Sequence, residues 1–174
     1  MKTSNWMKRL AVVAGSALMG LTLTIGAYAA VEPVVAQVTF ANVITINEVN
    51  SLQYGTLDQN LNLETIIIDP DSTVGGTGTA FVIGATPAAA NLTVASSVAG
   101  ITILVDTIVS GAGYTLGTFM CNYDGGADTA CDGAGYTATA VASATLLVGA
   151  TLTGDNSAVP GAADGSFNVT VIYQ

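Results

Sequence analysis

Apolar residues along this chain have two textures. From Leu10 to Ile25 they are almost continuous, whereas from about residue 34 onward they fall into short runs rich in Val, Ile and Thr, separated by clusters of Gly, Asn and Asp. Val34, Ala36, Val38 and Phe40 occupy alternate positions, and the pattern continues toward Ile44 and Ile46 after an adjustment near Asn42. Further strands are expected at 61–68, 79–83, 91–96, 101–109, 114–120, 136–140, 144–153 and 166–173. The run Ile66-Ile67-Ile68 is stopped by Asp69-Pro70-Asp71, because proline cannot donate to a ladder and Asp favours turns. Beyond the first stretch, nothing sustains a 3.6-residue period over a helix length. Eight or nine short strands at this spacing predict an all-β chain folded as one antiparallel β-sandwich domain.

Charge divides the chain in the same place. Lys2, Lys8 and Arg9 are its only basic residues, and they precede the continuous apolar stretch, which ends in Ala27-Tyr28-Ala29. A basic start, an apolar middle and a small-residue exit predict a cleaved secretory signal peptide over 1–29. The competing reading is a membrane anchor, for which the stretch sits at the lower length limit. Removing 29 of the 174 residues leaves 145, with all twelve acids and no Lys, Arg, His or Trp. The expected mature domain, 30–174, therefore carries a side-chain charge of −12 and has no membrane span.

That composition excludes function classes. Without basic residues there is no surface for nucleic acid or for an anionic bilayer. Ser-His-Asp and Cys-His nucleophiles, Schiff-base lysines and imidazole ligands for zinc are all absent. A pair of carboxylates for glycoside hydrolysis remains formally available, but twelve scattered acids always offer some pair. The chain therefore reads as non-enzymatic. Each carboxylate has to be solvated, hydrogen-bonded by N–H or hydroxyl groups, or neutralised by a cation.

Cys121 and Cys131 are the only cysteines. In an exported chain their expected state is a disulfide, and on the chain-entropy model a loop this short stabilises by about 3 kcal/mol. The enclosed segment is rich in turn residues and expected to be exposed. Asp124, Asp128 and Asp132 recur there every four residues, and oxygen ligands in a Gly-rich loop are what calcium takes. The spacing departs from the alternating EF-hand pattern, and the plainer reading is a solvated acidic loop. No other cofactor is expected.

The end of the chain carries the most specific pattern. Phe167, Val169, Val171 and Tyr173 alternate with Asn168, Thr170 and Ile172, and Gly161 lies fourteenth from the end. This resembles the C-terminal strand of chaperone-usher fimbrial subunits, with its glycine, alternate apolar positions and penultimate tyrosine. Gly165 is the alternative structural glycine. A second resemblance spans most of the chain. The segments 52–57, 67–70, 80–84, 147–152 and 165–173 look like successive blocks of a bacterial secreted family of unknown function with a pilin-like sandwich. That resemblance implies an immunoglobulin-like sandwich and brings no catalytic residue.

The pilin resemblance further implies an incomplete sandwich completed by a strand from the next subunit. Residues 30–46 contain the candidate donor, with Val34, Ala36, Val38 and Phe40 on one face. The other reading makes this segment the first strand of its own domain. The late, close cysteines depart from the usual pilin pattern. Functionally, the expectation is a structural subunit of an extracellular fimbria or filament, passing the periplasm to the cell surface. Self-association or related subunits, a periplasmic chaperone and an outer-membrane usher are the implied partners. The alternative is a monomeric secreted binding module for carbohydrate or calcium. Tyr54, Tyr114, Tyr123 and Tyr136 are candidates for an aromatic platform, though they are far apart along the chain.

Overall fold

The computed structural model describes residues 43–97, 100–155, 157, 161 and 164–174. Contacts divide the chain into Met1–Thr39 and Phe40–Gln174, and everything described lies in the second unit. The expected signal peptide and the donor candidates Val34, Ala36, Val38 and Phe40 lie outside the described residues.

Twelve strands follow one another: β1 (Ile44–Asn50), β2 (Thr56–Leu57), β3 (Asn62–Ile68), β4 (Val74–Gly75), β5 (Val82–Gly84), β6 (Ala90–Ser96), β7 (Gly100–Val109), β8 (Tyr114–Tyr123), β9 (Thr129–Ala130), β10 (Tyr136–Thr139), β11 (Ala144–Asp155) and β12 (Ser166–Tyr173). Eight of them have four residues or more. All pair antiparallel. The expected strand at 79–83 is a correction: Thr79–Phe81 forms a single 3-10 turn, and only Val82–Gly84 is a strand, paired with β2.

The longest strand, β11, organises the larger sheet. Its first half pairs with β6 and its second half with β3, while β8 runs along its other side. With β1 beyond β6, β4 beyond β3 and β9 beyond β8, that sheet has seven strands. The smaller sheet has the order β10-β7-β12, and β2 and β5 form a separate pair. The handover on β11 falls at Gly149, where an added Cβ would collide with the carbonyl of Ile68. Only glycine lets the two backbones approach this closely.

Alternation fixes which face each strand buries. Ala90, Leu92 and Val94 of β6, and Ala144, Leu146, Val148 and Ala150 of β11, pack with Ile101, Ile103 and Val105 of β7 in the main core. This joins the two sheets into an antiparallel β-sandwich. A second core, of Leu61, Ile66, Ile68, Ala89 and Leu152, lies against Leu57 and Val82 of the β2–β5 pair.

Two bulges aim rings into the main core. On β8, Thr118 has φ +49° and the register shifts where Thr118 and Phe119 face one residue of β11. On β7, Thr107 has φ +50° beside the register shift opposite Phe167. A bulge inserts a residue, bends its strand and redirects side chains. Phe119 is fully buried, and its ring lies 4.9 Å from that of Phe167 at a tilt of 55°, a favourable arrangement for aromatic pairs.

The described residues contain no basic side chain, and hydrogen bonds hold the carboxylates instead. The Asp71 carboxylate accepts from the Thr73 N–H at 2.8 Å, Asp58 from the Asn60 N–H at 2.9 Å, and Asp155 from the Ser157 N–H and hydroxyl at 2.9 and 2.6 Å. These are Asx turns, in which the side chain caps its own backbone two residues on. Bonds from Thr73 and Ser157 hold the Asp71 and Asp155 carboxyls below the usual carboxylate range.

Candidate interaction site at the open side of the sandwich

The two lateral sides of the sandwich are built differently. On one, the chain crosses from the larger sheet to the smaller through the disulfide Cys121–Cys131, whose Cα atoms are 5.7 Å apart. Both cysteines are 0 % exposed. The Cys131 N–H donates to the Phe119 carbonyl at 3.0 Å, and the Cys131 carbonyl accepts the Val105 N–H of β7 at 2.8 Å. The Tyr123 hydroxyl accepts the Val141 N–H at 3.3 Å. Residues Asp124 to Asp128 are exposed, as expected, but the bond that pins them belongs to the core.

Within that segment the three aspartates are separated by use. Asp132 accepts the Phe119 N–H at 3.2 Å, Asp128 accepts the Asn122 side-chain amide at 2.7 Å, and Asp124 is an exposed residue at φ +54°. The three do not converge, and among the described residues no group of three or more His, Cys, Asp or Glu side chains could hold a metal ion.

The other side is framed by β1 and β12, the outer strands of the two sheets. Among the described residues β1 has one ladder partner, β6, and β12 has one, β7. Ile44 stands opposite Ser96 and Tyr173 opposite Ile101, so one end of each outer strand lies beside the short connection from β6 to β7. At the other end, Leu52 and Phe167 line the same cavity. The two outer strands therefore run antiparallel to each other, and they approach along this side.

β12 turns Phe167, Val169, Val171 and Tyr173 toward the main core, each half-buried, and Ser166, Asn168 and Ile172 outward. Ile172 is 53 % exposed. Thr170 donates its hydroxyl to the Asp106 carboxylate at 3.0 Å. The Tyr173 hydroxyl is the one buried side-chain polar atom among the described residues without a hydrogen-bond partner. Gly161 is exposed, with φ +138°, a backbone region that favours glycine.

At the Phe167 end the open side runs into a cavity of about 640 Å³. Leu52, Leu57, Leu61, Leu116, Leu152 and Phe167 supply its apolar lining, and Tyr54, Tyr114, Asp58 and Asp164 share it. Two of the four tyrosines considered for an aromatic platform, Tyr54 and Tyr114, thus come together here. The Tyr54 hydroxyl donates to the Ala150 carbonyl at 2.9 Å. Burial pushes the Tyr54 phenol far up, and the neighbouring Tyr114 adds to it. Burial also raises Tyr114, with Asp164 contributing and a main-chain bond to Gly165 opposing. An apolar recess bounded by carboxylates, with no basic side chain among the described residues, suits an uncharged apolar group and disfavours an anion.

Sequence reasoning singled out the inward row of β12 but not the cavity. Its walls come from residues 52–61, the β7–β8 turn, β11 and the start of β12, and no local pattern reports such a convergence. Among the described residues no helix is long and apolar enough to cross a membrane.

The family model described as Domain of unknown function (DUF4402) matches residues 44–173. No match to the chain was found among curated proteins or among solved structures.

Proposed function

From the premise that the chain belongs to the DUF4402 family of domains of unknown function, we propose that it is a non-enzymatic structural subunit of an extracellular filament, assembled by strand addition at the side between β1 and β12. The observation that carries this reading is an outer strand, β12, which among the described residues has a single ladder partner, four half-buried apolar side chains in alternation and, near its end, a buried hydroxyl without a hydrogen-bond partner. An added strand would supply ladder bonds to the free edge and side chains to the core beneath it. Natural proteins guard such edges with lysine or proline, and β12 carries neither.

In this reading residues 1–29 direct export and are removed, the pilin-like domain passes the periplasm, and the part of the 30–46 segment that precedes β1 completes another subunit, because Ile44 to Ile46 are paired with β6 of their own domain. A chaperone and an usher are the partners that such a route uses. Deleting residues 30–40 tests it. The expected result is loss of oligomers with a folded domain retained, measured by sedimentation and circular dichroism. Unfolding of the deleted protein would make that segment intrinsic to its own domain and end the proposal. Electron microscopy of native secreted material gives an independent reading, since a uniform monomer at high concentration would favour a binding module.

A further inference from the structure

We propose that the cavity beside Phe167 binds a small organic cation, with an aliphatic or aromatic body seated among the leucines and a single ammonium group held by Asp58 and Asp164. This stands apart from strand addition, which concerns the ladder edge of β12, and either can fail without the other.

The walls of the recess are fixed in advance. Residues 52–61 lie outside both sheets of the sandwich, yet main-chain bonds pin them. Gln53 and Ala88 exchange N–H···O bonds at 2.8 Å in each direction, and the Asp58 N–H donates to the Phe81 carbonyl at 2.8 Å. Between these points the Tyr54 hydroxyl ties the segment to the Ala150 carbonyl of β11. The β7–β8 turn is held by the Asp155 N–H on the Gly113 carbonyl at 3.1 Å and by the Leu116 N–H on the Ser110 hydroxyl at 3.0 Å. Walls secured in this way leave little to be ordered by a ligand. At about 640 Å³ the space falls among small-molecule sites, which span about 300–1,000 Å³.

The lining has two chemistries. Leu57, Leu61, Leu116, Leu152 and Phe167 offer apolar surface, and Asp58 and Asp164 carry its charge. The Asn60 N–H and side-chain amide both donate to Oδ1 of Asp58, at 2.9 and 2.7 Å, so among the described residues Oδ2 has no protein donor. Asp164 is exposed, and its charge is felt at the Tyr114 hydroxyl. Tyr54 and Tyr114, kept neutral by burial, add no charge of their own.

These groups select among occupants. An anion would meet two carboxylates and, among the described residues, no basic side chain. Calcium takes about six to eight oxygen ligands, and among the described residues no group of three or more His, Cys, Asp or Glu side chains could hold a metal ion. An uncharged molecule fits the apolar walls but strips water from the carboxylates without replacing it. An alkyl- or arylammonium fills the same space and gives those carboxylates charged donors in place of the lost water.

Three probes with the same eight-carbon chain, octylammonium, 1-octanol and octanoate, test this by titration calorimetry on the full chain, below their aggregation limits. Octylammonium is expected at one site per chain, about tenfold tighter than 1-octanol, with octanoate weakest. Asp58→Asn with Asp164→Asn keeps the acceptor for Asn60 and should abolish that preference, leaving 1-octanol unaffected. The same loss of charge on the disulfide side, Asp124→Asn with Asp128→Asn, should leave the preference intact. An equal fall there would reduce it to general attraction by an acidic protein and overturn the site. Leu57→Trp, which fills the cavity, should abolish binding of octylammonium and 1-octanol alike. Nuclear Overhauser contacts between the octylammonium chain and the Phe167 ring check the seat without any substitution, and their absence overturns it. Equal affinity for the three probes, or binding of none, ends the proposal. None of these readouts depends on oligomers.

Discussion

The two sides of this sandwich solve one problem in opposite ways. Two stacked sheets leave their cores exposed along both flanks. On the disulfide side the chain itself closes the gap: Cys131 is bonded covalently to β8 and by its carbonyl to Val105 of β7. On the β1–β12 side, among the described residues, each outer strand has one partner, and the half-buried row from Phe167 to Tyr173 forms the margin of the core. Edge exposure in this sandwich is therefore local. One flank is sealed with a bond and main-chain hydrogen bonds, whereas on the other, among the described residues, no strand pairs the outer edges of β1 and β12 and no lysine guards them.

The largest effect is expected at the sealed flank. Replacing Cys121 and Cys131 together by alanine is expected to cost about 3 to 5 kcal/mol, from a freed loop and lost core packing. Urea unfolding measures it, and a loss below about 1 kcal/mol would mean the flank closes without the bond. Next in size is a contrast between two hydroxyls. Tyr54→Phe removes a donor to the Ala150 carbonyl and should cost about 1 kcal/mol. Tyr173→Phe removes a buried hydroxyl without a partner and should leave the domain's stability unchanged or raised. Equal losses would show that the hydroxyl of Tyr173 is satisfied in solution.

Smaller still is the effect of a guard. Ile172→Lys places a charge on the outward face of β12 and should change stability by less than about 0.5 kcal/mol, while suppressing oligomers in sedimentation. Unchanged assembly would direct attention away from this edge. The smallest effect follows pH. Asp71 and Asp155 have carboxyls held low by Thr73 and Ser157, so their contribution is present above the unfolded-state value of about 3.9 and is lost as pH falls through the folded-state value. Asp71→Asn with Asp155→Asn should flatten the acid limb of thermal stability below about pH 4. Over milder acid, assembly should instead be promoted as carboxylate repulsion is neutralised.

Long strands were legible in the amino-acid pattern because each covers several periods. Residues 166–173 were expected as a strand and form β12 with those bounds, and 91–96, 101–109 and 144–153 fall within β6, β7 and β11. The two-residue strands β2, β4 and β9 are too short to show a period, and they exist only through their pairing with β5, β3 and β8. The run 79–83 looked extended from its apolar content, yet Thr79–Phe81 turns. The cysteines illustrate the same limit. Their polar, Gly-rich surroundings announce a loop, and only the contacts of Cys131 with Phe119 and Val105 place the bond in the core. At the open side, the alternation of β12 was readable, whereas the cavity draws on four separate stretches.

A bond between two sulfur atoms with no exposed surface has consequences for timing. A reductant reaches it only when the packed sheets part, so the rate at which thiols appear in native buffer counts openings of the whole fold rather than loop motion. The reverse holds for a newly made chain. Cys121 and Cys131 have to be joined before β7 and β8 close over them, so a molecule that packs first with free thiols must come apart again before it can be oxidised.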